Sequence, residues 1–246
     1  MLHIGIAAEK IFDIFGFPIT NTLLMGWIVV LFLCFLSFWV YRKIAMIPTL
    51  AQNILEFALE KILGLTESVF GTREQAEKYF PIIATIFLFV LLSNWFGIFP
   101  GIGSIGIREI KDGHELFVPL FRSAASDLNF TLALAISAVI LINLAGITAI
   151  GIKGYISKFF SFKGPVEFFV GILELISEIA KMISFAFRLF GNVFAGEVLL
   201  VITGFLVPFF IPVPFLMLEI FVGFVQALVF AMLTMVFISI AIAHDH

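Results

Sequence analysis

The chain has 246 residues, 62% hydrophobic and only 13% charged, with a net charge of −3 and a mean hydropathy of +1.18. A soluble domain carries about 25% charged residues, and no water-exposed fold of this length hides so much apolar surface, so lipid is the main solvent. The near-neutral charge argues against nucleic-acid binding, and the single cysteine, Cys34, excludes an internal disulfide.

In chain order, residues 1–21 form a partly amphipathic lead-in. Glu9 and Asp13 stand where a secretory leader carries basic residues, so no cleavable leader is expected. The first span is predicted over Thr22–Tyr41, long enough to cross as a helix, and stops at Arg42-Lys43. Over Pro48–Phe70 the period changes. Gln52, Glu56 and Glu60 recur every fourth residue, with Leu50, Ile54, Phe57, Ala58 and Ile62 on another face. That pattern predicts an amphipathic helix lying on the membrane or against a partner.

Arg73, Glu74, Glu77 and Lys78 mark a wet connection to a second span, Tyr79–Phe99, which Pro100 ends. Gly101–Asp127, with Arg108, Glu109, Lys111, Asp112, His114, Glu115 and Arg122, reads as an aqueous loop. A third span follows over Leu128–Ile150, then Lys153, Lys158, Lys163 and a break at Gly164-Pro165.

From Glu167 to Thr203 the helical pattern runs on for ~37 residues, or roughly 55 Å, against a hydrocarbon core of ~30 Å. Such a helix is either interrupted or strongly tilted. Gly204–Pro214 reads as a turn, and a last apolar helix covers Phe215–Ala243, giving a long helical hairpin. The predicted fold is an all-α polytopic membrane protein with about five spans plus amphipathic segments. It forms one membrane domain, 1–246: lead-in 1–21, peripheral spans and loops 22–163, and hairpin 164–246.

Basic residues concentrate after spans one and three. The positive-inside rule therefore predicts an outer N-terminus and a cytoplasmic C-terminus. No internal repeat of the kind common in secondary transporters is evident.

The long helix carries residues that are costly at bilayer depth. Arginine there costs ~2.5–3.5 kcal/mol on insertion scales and normally faces a bundle interior or a water-filled cavity. Glu174, Ser177, Lys181, Ser184, Arg188 and Asn192 step by three or four residues, so they share one stripe. Glu197 points roughly half a turn away, and Glu219 and Gln226 share a face of the last helix. Arginine does not give up its proton, whereas Glu197 and Glu219 can exchange protons where water reaches them. A fixed cation between two sets of exchangeable groups suits an electrostatic gate. Plainer roles compete: Glu178 and Lys181 at i,i+3 suit a helix-surface pair, Ser177 and Ser184 suit close packing, and Asn94 suits an interhelical hydrogen bond. His244–His246 reads as a solvated tail, and no cofactor or metal site is expected.

"FRLFGN" with "GE" beyond it, "VQALVFAML" in the last helix, "SNWFGIFPG" after span two, "SDLNFTLALA" at Ser126–Ala135 and the run Gly164–Asn192 together resemble subunit a of the F-type ATP synthase. The resemblance covers nearly the whole chain. It implies the stator of a rotary motor in a bacterial cell membrane, an organelle inner membrane being the alternative. Its implied partners are a ring of c subunits, the b-subunit peripheral stalk, the rest of the complex, lipid and protons. The two last helices would tilt against the c-ring. Arg188 would face the ring carboxylates and keep two offset half-channels apart. Asn192, Glu197, Glu219 and Gln226 would line the outer half-channel, and Glu174, Ser177, Lys181 and Ser184 the cytoplasmic one. Many members pair an acid with a histidine where this chain has Glu197 and Glu219, so here two carboxylates are expected to share a proton.

With no GxxxxGK[ST] pattern, nucleotide chemistry is assigned to other subunits. A lone solute transporter would call for a repeat or a broken-helix site. An intramembrane enzyme would call for a nucleophile–base pair or metal cluster at membrane depth.

Overall fold

The computed structural model describes residues 8–14, 16–45, 48–99, 105–111, 114–159, 164–207 and 210–243. Asp112, Lys163 and the His244–His246 tail lie outside them. Among the described residues, five helices are long and apolar enough to cross a membrane: α1 (Asn21–Lys43), α3 (Arg73–Ile98), α4 (Leu128–Ile150), α6 (Pro165–Leu206) and α7 (Pro212–Ile242). Two others, α2 (Leu50–Phe70) and α5 (Ile152–Phe159), are shorter or more polar. The membrane part is thus all-α, with five candidate spans.

Local chemistry sets the helix starts. Thr20 accepts from the Leu23 amide at the head of α1, Thr49 from the Gln52 amide at α2, and Asp127 from the Asn129 amide at α4. Each such cap satisfies one otherwise orphaned N–H. Pro165 and Pro212 occupy first-turn positions of α6 and α7, where the missing N–H costs nothing. Gly71, at φ 75°, closes α2 in the left-handed conformation.

Several sequence expectations change, and one left open, whether the long helix is interrupted, is decided. Residues 8–20 and the loop after α3 contain antiparallel β-hairpins: β1 (Lys10–Ile14) with β2 (Phe17–Thr20), and β3 (Gly106–Lys111) with β4 (His114–Pro119). Both lie outside the spans, where strands alternating apolar and polar residues pair readily. The wet residues from Arg73 onward form the first turns of α3, and Arg73 bridges Glu77 at 2.7 Å and Glu67 at 3.2 Å. The long helix is uninterrupted for 42 residues. It also continues to Leu206, so the connection to α7 is shorter than Gly204–Pro214.

The core lies among α3, α4, α6 and α7. Ile83, Val90, Ile142, Leu189, Phe230 and Ile238 are fully buried. Asn94 donates to the Gly223 carbonyl and the Trp95 indole N–H to the Ile220 carbonyl, each at 3.0 Å, which fastens α3 to α7. Gly223 lets α3 approach, since a Cβ there would lie 3.2 Å from Asn94 Cβ.

A short 3-10 turn, Ala124–Ser126, precedes α4 and is wholly buried. Thr22 donates to Asp127 at 3.1 Å, tying the start of α4 to α1. Asn21 donates to the Pro119 carbonyl, so both β-hairpins sit at one end of the bundle. The amphipathic α2 exposes Leu50, Ile54 and Phe57 and buries Ile62, Thr66 and Phe70.

Candidate functional site

Contacts between α6 and α7 pair Gly196 with Glu219, Asn192 with Gln226, Phe185 with Phe230 and Lys181 with Phe237. The two helices therefore pass each other in opposite directions, and polar residues fall into two groups along the seam.

The first group surrounds an open cleft of about 260 Å³. Ser177, Lys181, Ser184 and Arg188 line it with Ala180, Phe185, Leu233 and Phe237. Four of the stripe residues picked out in the sequence thus share one cleft, with room for several waters. Arg188 is exposed, and its Nη2 donates to Ser184 Oγ at 3.4 Å. The Lys181 ammonium bridges Glu178 Oε1 at 2.5 Å and stands 4.8 Å from the centre of the Phe237 ring. The helix-surface pair is real, but both partners are largely buried. Ser177 and Ser184 are exposed to the cleft rather than packed.

Glu174 does not line the cleft. It lies toward α5, where Tyr155 donates its hydroxyl to Asn143 Oδ1 at 2.8 Å. Burial pushes the Tyr155 phenol up to about 12, with the negative charges of Glu178 and Glu174 adding to the effect. Gly146 makes room for this ring: a Cβ there would come within 2.6 Å of Tyr155 Cε2.

The second group lies nearer the β-hairpin end. Asn192 Nδ2 donates to Gln226 Oε1 at 2.6 Å. The Glu219 carboxylate rests on Gly196, with Oε1 2.8 Å from where a Cβ would sit. Its Oε2 is buried and has no hydrogen-bond partner among the described residues. The neighbouring Glu197 accepts from Arg122 Nε through both oxygens, at 2.8 and 3.1 Å. Between the groups the seam is apolar: Phe185, Leu189, Val193, Ala227, Phe230 and Ala231 are buried, with the Phe185 and Phe230 rings 4.7 Å apart.

Sequence reasoning missed Arg122. It was placed in an aqueous loop but its side chain is only 7% exposed and pairs with the long helix. The small residues that follow it, Ser123 to Ser126, were the available sign of a tightly packed turn. Tyr155 and Glu178 also gain importance by position, and only the three-dimensional packing of α5 on α6 reveals that. Among the described residues no cluster of His, Cys, Asp and Glu could hold a metal ion.

Comparison with known proteins identifies the family. Residues 23–239 match the family model described as ATP synthase A chain. ATP synthase subunit a of Moorella thermoacetica is 33% identical over 237 residues, covering 96% of this chain and 97% of that one. The Helicobacter pylori (strain P12) subunit a is 33% identical over 244 residues, covering 96% and 98%. "ATP synthase subunit a 2" of Syntrophotalea carbinolica is 31% identical over 250 residues, covering 100% and 94%. The chain belongs to the ATP synthase subunit a family, the non-catalytic, proton-conducting stator of the membrane sector.

Proposed function

We propose that the two polar groups on the α6–α7 seam are the inner ends of two offset proton half-channels, and that Arg188 keeps them apart. The observation that carries this reading is the position of Arg188. It is exposed on α6, lines the cleft of the first group, and stands one helical turn, about 6 Å, from Asn192 of the second. A proton crossing between the groups would have to pass the buried apolar seam or a guanidinium that stays charged.

Asn192, Glu197, Glu219 and Gln226 then serve the outer path, and Ser177, Lys181, Ser184 and, further in, Glu174 the cytoplasmic one. The exposed side of α6, with Ile179, Ile183 and Phe187 uncovered, is the side offered to a ring of c subunits whose carboxylates carry the protons. At 42 residues α6 is about 63 Å long, so in ~30 Å of hydrocarbon it lies strongly tilted, which suits contact with a curved ring. The b-subunit stalk and the remaining complex are further partners. The membrane is a bacterial cell membrane, with the β-hairpins outside and the α7 C-terminus in the cytoplasm, as the basic residues require. Each proton driven inward releases about 2.3 kcal/mol per 100 mV, so several are coupled to each ATP made elsewhere in the complex.

The deciding experiment is ATP-driven proton uptake by inverted vesicles carrying the assembled complex with Arg188→Ala, alongside passive proton leak. Coupled pumping should be lost while assembly persists. Near-normal pumping would make Arg188 a structural charge and end this reading.

A further inference from the structure

We infer that Arg122 is a positioning residue of the outer path: it engages Glu197 and so leaves Glu219 as the carboxylate that exchanges the proton. The inference rests on the half-channel reading above and adds to it a division of labour between two acids that look equivalent in the sequence.

The geometry separates them. Glu197 presents both oxygens to one guanidinium nitrogen, at 2.8 and 3.1 Å. Glu219 has a buried oxygen, Oε2, with no partner among the described residues, and it sits against Gly196, next to Glu197 in the chain. A proton-exchanging group needs an oxygen that no other group already holds, close to its relay. Glu219 meets this condition. Glu197 is committed to a charge-assisted bond, the stronger class of hydrogen bond.

Arg122 is itself held from several sides. Its neighbour Ser123 donates to the Ser93 carbonyl at 3.3 Å and stands so close to Gly97 that any side chain there would collide with it. Ala124 and Ala125 are fully buried, and Asp127 is hydrogen-bonded to Thr22. The cation is therefore delivered to Glu197 by a rigid turn rather than by a mobile surface arm. In each cycle Glu219 gains one proton from the water on the outer side and passes one on, ending as the carboxylate it began as. Arg122 and Glu197 keep their charges throughout.

The test uses the assembled complex in inverted vesicles, stripped of its nucleotide-binding sector, with passive proton conductance as the readout and immunoblotting to establish assembly. Glu219→Gln should lower conductance on the order of a hundredfold, the low end of what a positioned proton-transfer group contributes. R122Q/E219Q should regain conductance relative to E219Q, since the released Glu197 now has free oxygens beside the path. R122K/E219Q should stay as low as E219Q, because lysine restores the cation.

The inference is overturned if R122Q/E219Q assembles and is as inactive as E219Q, or if R122K/E219Q conducts as well as R122Q/E219Q. Should R122Q/E219Q not assemble, R122M/E219Q, which fills the same space without a charge, decides in the same way. Full conductance in E219Q would instead remove Glu219 from the path, overturning the wider reading together with this one.

Discussion

Asn192 of α6 donates to Gln226 of α7 across the seam at 2.6 Å, joining residues 34 apart in the chain. Gln226 is nearly fully buried, and its Nε2 has no partner among the described residues. The amide of Gln226 is thus held from one side only. Asn192→Ala should cost about 1–3 kcal/mol, the penalty of an unsatisfied buried polar group. Asn192→Ala combined with Gln226→Leu should cost less than the two single changes added together. Thermal unfolding of the purified complex across all four combinations measures this coupling, and strict additivity would show that the bond is energetically idle.

Gly196→Ala should separate function from stability. The new methyl would meet Glu219 Oε1 at 2.8 Å and Cδ at 2.9 Å, but this is the end of a flexible side chain, which can move aside. Alanine also gains about 1 kcal/mol over glycine inside a helix. The melting temperature should hold, while proton conductance falls several-fold because the carboxylate is displaced. A fall in melting temperature with unchanged conductance per complex would contradict this account.

Glu178 neutralises Lys181 at the edge of the cleft that holds Arg188. Glu178→Gln leaves a second uncompensated cation in a partly desolvated space, where charges interact more strongly than in water. ATP-driven pumping should slow several-fold and recover in the double variant with Lys181→Gln. If the double variant pumps no better than Glu178→Gln alone, charge balance in the cleft is not what limits flow.

Tyr155 offers a pH signature outside the spans. Its phenol titrates up to about 12, pushed there first by burial and then by Glu178 and Glu174. A tyrosine in the unfolded chain titrates near 10. The folded state therefore holds the proton more tightly, and this contribution to stability is intact below about pH 10 and is lost as pH rises through about 12. Alkaline unfolding followed across that window should be blunted in Tyr155→Phe. The same substitution should cost about 1 kcal/mol at neutral pH through loss of the bond to Asn143.

Periodicity made much of this protein legible. The sequence pattern puts a span at about Leu128–Ile150, and α4 occupies those residues, between the Asp127 cap and Gly151. The stripe from Ser177 to Arg188 was readable from 3.6-residue spacing alone, since all its members lie on one helix. Asn94 was readable as a hydrogen-bonding residue, because an amide in an apolar span needs a partner, though nothing local named Gly223. What stayed hidden depends on contacts between distant segments. Arg122 looked like any loop arginine, since its burial comes from α6, 75 residues later. Glu197 and Glu219 look like a matched pair in the sequence, and only the fold brings Arg122 onto Glu197. The β-hairpins escaped notice because strands of four to six residues leave too short a pattern to distinguish from a loop.

The span of 75 residues between Arg122 and Glu197 also has a meaning in time. At synthesis rates of about 5–20 residues per second, Arg122 emerges roughly 4–15 s before the glutamate that will hold it. Over that interval α4 can enter the bilayer, but the turn ahead of it still lacks the carboxylate that Glu197 brings. The last helices are thus more than late additions to a finished bundle, because their arrival lets the earlier half of the chain close. A polypeptide truncated before Glu197 would lack this carboxylate at Arg122, a mark by which quality control could tell an unfinished subunit from a complete one.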